Sequence, residues 1–184
     1  GLAQGCGAGS GKAVIPALHI AAAPGQVDAV RCLRDAVMAA APSVQILDWT
    51  ERELPLPRSP LSGAMALRER NRTLDRQFFS FCADACMSAD LVVCLGTGQE
   101  TVIQAGMAYM AGIPVLGIRD QQTEPGFMME GCIARWVSGV DAVPELVARL
   151  ADCWRRDIES AEPSATCRRC PVQDICQFYR QERP

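Results

Sequence analysis

Three cysteines crowd the carboxyl end of the chain, Cys167, Cys170 and Cys176, in the spacing C-x2-C-x5-C. Thiolates this close in sequence, with Pro171 directly after the second, can clamp a single metal centre. Structural zinc commonly mixes cysteine with histidine, and no histidine lies near this segment, so iron–sulfur is the expected occupant and zinc the alternative. A four-thiolate site needs one more ligand. Cys153 is the nearest in sequence, and Cys6 and Cys132 are the other two choices. Incidental placement or oxidative pairing is what remains if no metal is held. Cys82, Cys86 and Cys94 fall in apolar settings. Cys82 and Cys86, four residues apart, could form a ligand pair on one helix face, but small core residues are the plainer account.

A second stretch with chemical content is Gly96-Thr97-Gly98-Gln99-Glu100-Thr101, the exit of an apolar strand and the start of a helix. The free N–H groups and positive dipole end near Gln99–Val102 suit a phosphate or a sugar hydroxyl. Glu100 supplies an acid in that turn, and Gln104 follows one turn later. Other chemistries have little to work with. Lys12 is the only lysine beside seventeen arginines, so a Schiff base would rest on it alone. His19 is the only histidine and sits inside the apolar run Ala17–Ala21, which reads as a packed strand and argues against triad chemistry. Arg68, Arg72 and Arg76 recur every four residues and either grip phosphate or form a solvated face. Met107, Met110, Met128 and Met129 line an adaptable pocket or a subunit interface, or simply fill the core. The glycine-rich opening fails as a phosphate loop: Cys6 stands where glycine is required, and Ala13 where Ser or Thr would bind magnesium.

These residues need a scaffold, and the hydrophobic pattern supplies one. Strands are expected over Val14–Ala22, Val44–Trp49, Leu91–Leu95, Ile113–Ile118 and, weakly, Ile133–Val137. Helices are expected over Gln26–Ala41, around 67–85, over Glu100–Ala111 ending at Gly112, and after Asp141 with Val143, Leu146, Val147, Leu150 and Trp154 on one stripe. Leu67, Leu74, Phe78, Phe81 and Ala85 mark the inner face of the second helix. Residues 50–65, with three prolines and a glycine, and 119–131 read as loops. Apolar strands alternating with helices predict a three-layer α/β fold, a flavodoxin-like doubly wound parallel sheet of about five strands. Ligands in such folds sit beyond the carboxyl ends of the strands. Three segments follow: a flexible glycine-rich arm at 1–12, an α/β domain at 13–158 and a cysteine-rich appendage at 159–184.

The chain has 184 residues, 49% apolar and 21% charged, a composition that folds. A net charge of −3 gives no general case for nucleic acid or an anionic membrane. No apolar run approaches the ~18 residues of a membrane span, and no signal-peptide pattern opens the chain. Ten cysteines, several in apolar segments, point to a reducing compartment and a cytoplasmic location.

Residues 89–118, ADLVVCLGTGQETVIQAGMAYMAGIPVLGI, carry a resemblance. Ala89-Asp90 opening a strand, then Thr101, Gly106, Ala108, Tyr109, Gly112 and Pro114, are similar to the central stretch of the nucleoside 2-deoxyribosyltransferase family. The resemblance implies a nucleoside or nucleotide ligand held by Gly96, Thr97, Gly98, Gln99 and Thr101 with Asp48. It also implies that the strand-turn at 19–26 meets the base or ribose, that the 50–65 loop covers it, and that the protein is a homo-oligomer. Independently of any family, Gly106 is expected to let the helix approach the sheet. The family's nucleophilic glutamate falls on Gln104, and a neutral amide cannot form a glycosyl ester. Glu100, a turn earlier, is the one substitute, and the family's acid before the glycine turn is replaced by Gly98. The C-x2-C-x5-C spacing itself resembles the carboxyl-terminal 4Fe-4S motif of Cas4-like and AddB-like nucleases; only that triplet is similar, so nuclease activity is not implied. The expectation is an iron–sulfur protein with a nucleotide-binding, deoxyribosyltransferase-like domain whose catalytic status is open; cleavage or transfer at an N-glycosidic bond would fall to Glu100 or to another, unrecognised acid. The alternatives are a non-catalytic nucleotide-binding or redox-sensing module, and an electron-transfer protein with a redox partner.

Overall fold

A computed structural model describes residues 16–51, 64–119, 125–159 and 175, with side chains described outside 51–75 and up to 153, and at 175. Apolar, mostly buried runs make the central strands β1 (Ala17–Ala22), β3 (Leu91–Leu95) and β4 (Val115–Ile118), and the shorter, less buried β2 (Gln45–Leu47) and β5 (Arg135–Val137) form the edges. All pair in parallel, in the order β2-β1-β3-β4-β5. The helices are α1 (Val27–Ala40), α2 (Ala64–Ser88), α3 (Gln99–Met110), α4 (Phe127–Cys132) and α5 (Ala142–Glu159). α1 packs on α5 over one face of the sheet, while α3 packs between α2 and α4 over the other. This is the flavodoxin-like three-layer α/β fold expected from the alternation of elements. Among the described residues no helix is long and apolar enough to cross a membrane.

Strand side chains alternate between two cores. Leu18, Ile20, Leu91, Val93 and Leu116 join Val30, Leu33, Val147 and Leu150 of α1 and α5 in the larger one. Ala21, Val92, Cys94 and Val115 join Ala105 and Ala108 of α3 and Met129 of α4 in the smaller. Asp90 explains the polar residue that opens β3: its carboxylate accepts the Ala17 N–H at 2.8 Å, tying the start of β1 to that of β3. α3 ends in a Schellman motif, with Ile113 N–H on Ala108 O at 2.9 Å, Gly112 N–H on Tyr109 O at 3.0 Å, and Gly112 at φ 69°.

Two expectations are corrected. The stretch 119–131 is not all loop: a short helix, α4, forms where Met129 is driven into the smaller core and Gly126 in extended conformation sets the turn into it. Gly106 does not mediate approach to the sheet. The inner face of α3 is Thr101, Gln104, Ala105 and Ala108, and a Cβ at Gly106 would meet nothing within 4 Å.

Candidate functional site: the crevice beyond β1 and β3

Strand order reverses between β1 and β3, because the chain leaves β1 towards β2 and leaves β3 towards β4. The turns after these two strands therefore diverge and leave a crevice at the carboxyl edge of the sheet. One wall is Ala23–Gln26, a turn in which Gln26 N–H donates to Ala23 O at 2.9 Å and Ala23 N–H to Gln26 Oε1 at 3.0 Å. The other wall is Gly96-Thr97-Gly98. Gly96 adopts φ 91°, and a Cβ there would lie 3.2 Å from Gln26 Nε2, so the two walls touch at their base. Glycine at 96 suits this left-handed conformation, and a Cβ there would also crowd the Gln26 amide. The family resemblance pointed to the strand-turn at 19–26, while patterning read residue 26 as the start of a helix; the self-capping role of Gln26 has no pattern that would single it out.

α3 starts from the second wall. Gly98 is its N-cap, in extended conformation and with no side chain to cap the helix. The first intrahelical bond is Val102 N–H to Gly98 O at 3.0 Å, so the N–H groups of Gln99, Glu100 and Thr101 lie at the free end of the helix. Gln99 and Glu100 are exposed, and Glu100 Oε2 lies 3.6 Å from where a Gly98 Cβ would be. Thr101 faces inward: its side chain is fully buried and its hydroxyl has no hydrogen-bond partner.

Beneath the crevice lies a pair the sequence did not suggest. Gln104 is buried against His19 of β1, with Oε1 2.9 Å from Nε2. Its Nε2 donates to Ala22 O at 3.4 Å and to Glu100 O at 3.3 Å. The other ring nitrogen of His19, Nδ1, donates to Leu47 O at 2.7 Å. Phe81 of α2 sits edge-on to the ring, with centroids 6.4 Å apart. Burial holds the His19 pKa below its ordinary value, against the opposing pull of Gln104, the Leu47 carbonyl and the Asp48 charge. His19 is thus the packed strand histidine expected from its apolar run, and Gln104 is its partner: together they bolt α3 to β1 and β1 to the end of β2.

Asp48 follows β2 and is buried, but its carboxylate is already committed. Oδ1 accepts the Thr50 N–H at 2.7 Å, and Oδ2 accepts the Thr50 hydroxyl and lies 3.4 Å from Arg34 Nη1. It stabilises the turn beside the crevice.

The thiols divide by environment. Cys82 and Cys86 of α2 and Cys94 of β3 are buried. Burial pushes the Cys82 and Cys86 thiols up to about 12, and Cys94 upward as well, so all three stay protonated and act as small core residues. Cys132 is half-buried, its thiol also pushed up by burial. Among the described residues no group of three or more His, Cys, Asp or Glu side chains is gathered to hold a metal. Cys167, Cys170, Cys176 and Cys6, the 1–12 arm, residues 52–63 and the side chains of Arg68 and Arg72 lie outside the described residues. Within them, Cys153 of α5 packs at the margin of the larger core, and Ile175, the neighbour of Cys176, is fully buried in that same core.

No family model matches the chain, and no curated protein does either. Among solved structures the chain is similar to a conserved protein from Enterococcus faecalis V583, with a TM-score of 0.50 and 13% identity over 71% of this chain and 96% of that one. At that identity the likeness bears on the fold alone.

Proposed function

We propose that this chain is an iron–sulfur protein whose α/β domain binds a nucleoside or nucleotide in the crevice between the Ala23–Gln26 and Gly96–Gly98 turns. The observation that carries the reading is the reversal of strand order there, with an uncapped helix N-terminus opening onto it. Gly98 leaves room at the mouth, Gln99 and the α3 amides offer donors, and Gln26 fixes the opposite wall. Gln104 argues for binding over glycosyl transfer: it is neutral, buried and engaged with His19, so no carboxylate stands at the family's nucleophile position. Glu100, its carboxylate 3.6 Å from where a Gly98 Cβ would be, supports an N-glycosidase as the second reading. Cys153, Cys167, Cys170 and Cys176 would hold the cluster, which would supply a one-electron redox centre or a structural clamp.

Two measurements test this. Anaerobically purified protein should carry about four irons and four sulfides per chain, lost in Cys170→Ala; a colourless protein with one zinc would overturn the cluster. Calorimetric titration with nucleosides and nucleotides should give binding that Gly98→Arg abolishes, the backbone there being open to any residue. Free base released by wild type and not by Glu100→Gln would replace the binding reading with the hydrolytic one. Reversible cycling of the cluster with a partner, and no nucleotide binding, would replace it with electron transfer.

A further inference from the structure

The Gln104 amide reaches both walls of the crevice at once. Its Nε2 donates to Ala22 O, the last carbonyl of β1 before the Ala23 turn, at 3.4 Å, and to Glu100 O in the first turn of α3 at 3.3 Å. Its Oε1 lies 2.9 Å from His19 Nε2, and His19 Nδ1 lies 2.7 Å from Leu47 O. Four contacts meet here: two from the amide NH2, one between ring and amide, and one between ring and Leu47. Each needs its own hydrogen. The amide brings two, and a neutral imidazole brings one. The set is complete only when the ring carries its second proton.

With one proton short, part of the set gives way, and the distances say which part. Leu47 O is the closest partner and belongs to the backbone that pairs β2 with β1 at His19, so Nδ1 keeps its proton. Nε2 is then a lone pair facing the amide oxygen. The amide relieves this by turning over, which sets Oε1 against the Ala22 and Glu100 carbonyls and breaks the two longest contacts of the four. Those two are the ones that join the walls.

We propose that His19 is a proton-operated tie for the crevice: the charged ring lets Gln104 join the end of β1 to the first turn of α3, and the neutral ring releases that join, so that ligand affinity rises as acid is added. The affinity clause rests on the nucleoside- or nucleotide-binding reading above; the tie itself stands on the contacts alone. Walls already held in place bind more tightly, because less ordering is left to do. By linkage, a bound ligand must in return hold the proton on the ring. Burial keeps the His19 pKa below 6.5, which puts the change on the acid side of neutrality. Asp48, after β2, is the charge that acts on the ring. α2 sets Phe81 against it and keeps the thiols of Cys82 and Cys86 protonated. β3 sets Val92 beside it, with Cys94 likewise protonated, while Asp84 of α2 and Glu100 of α3 are exposed.

NMR of the full chain under anaerobic conditions tests the tie, since one histidine gives unambiguous ring signals. As pH falls from neutrality, the backbone amides of Ala23, Gln26 and Gln99 to Thr101 should shift with the midpoint of the ring itself. They should do so in Glu100→Gln as well, where the carboxylate beside them is gone. In Gln104→Leu the ring should still titrate and the wall amides should stop following it. Wild-type wall amides with no inflection at the ring's midpoint, or amides that follow the ring as fully in Gln104→Leu, would overturn the proposal. Calorimetry with thymidine and inosine, both uncharged across this range, tests the affinity. It should rise by up to about tenfold per pH unit across the ring's titration, the limit for one linked proton, and Gln104→Leu should abolish the rise. Affinity that stays flat while the ring titrates would overturn the coupling. If neither nucleoside binds at any pH, that failure belongs to the binding reading, and the amide shifts still decide the tie.

Discussion

His19 and Gln104 form a buried pair whose donors and acceptors depend on the charge of the ring. The Leu47 carbonyl can only accept, so Nδ1 always carries a proton. With Oε1 of Gln104 facing Nε2, the ring must donate from both nitrogens and be charged. At the neutral ring, which burial favours, Nε2 accepts only if the amide is turned over, and that sets Oε1 against the Ala22 and Glu100 carbonyls that the amide NH2 now reaches. Because the folded pKa lies below the unfolded value of 6.5, the unfolded chain binds the extra proton first as acid is added. Stability from this site is complete above 6.5 and is lost as pH falls through the folded pKa. The ring protons of the single histidine should titrate below 6.5 by NMR, and melting temperature should fall over the same range. Gln104→Glu places a carboxylate on the ring and should move that titration upward; an unmoved titration would mean that the pair is not in contact. Removing the partner, as in Gln104→Leu, leaves Nε2 buried and alone, at a cost of about 1–3 kcal/mol. The thiols give a parallel forecast: brief alkylation of the folded protein at neutral pH should label exposed Cys32 and spare Cys82, Cys86 and Cys94, read by peptide mass spectrometry.

Elements were legible where a strong period or a special residue marked them. α1 was expected at 26–41 and spans Val27–Ala40, and α3 was expected at 100–111 and spans Gln99–Met110, because each repeats its buried residues every three or four positions and stops at a breaker. α4 escaped because six residues with one buried side chain, Met129, leave no periodicity to read. The hydrogen-bonded pair of His19 and Gln104 escaped for a different reason: they are 85 positions apart, and only the packing of α3 on β1 brings them together. Two glycines test how far local geometry sets these elements. Gly112 sits at φ 69°, so Gly112→Ala should cost about 1–2 kcal/mol in chemical denaturation. Gly117 of β4 is under the Trp136 ring, and a Cβ there would fall 2.4 Å from two ring carbons. Trp136 is held over that spot, its Nε1–H donating to Glu130 at 2.7 Å and the Arg119 guanidinium 5.4 Å from the ring centre. Gly117→Ala should therefore expel the ring and loosen β5, with a loss of about 1–3 kcal/mol. A stability unchanged from wild type would mean that the edge strand gives way freely.

At the scale of the molecule, the question is whether the cysteine segment hangs from the α/β domain or is part of it. Chemistry-bearing residues at the sheet's carboxyl edge, Gly96 to Glu100, were legible because strand exits carry glycine and helix starts carry polar residues. The link between the cysteines and the sheet was not, since nothing in the spacing C-x2-C-x5-C says where the segment docks. Ile175 answers part of it: this one side chain, beside Cys176, is fully buried with Leu18, Leu33 and Leu150 in the larger core, on whose margin Cys153 packs. A buried isoleucine cut to alanine typically loses about 2–5 kcal/mol. If Ile175 pins the segment, Ile175→Ala should show that loss in denaturant melts and should also lower the iron content of anaerobically purified protein, because the fourth thiolate is then no longer brought to the other three. Cys170→Ala separates the two effects: it should remove the iron while leaving the isoleucine in place, and so cost the sheet less than Ile175→Ala does. Iron retained in Ile175→Ala at full wild-type level, with the stability loss still present, would mean that the cluster assembles from the triplet without help from the core, and that Cys153 is not its fourth ligand.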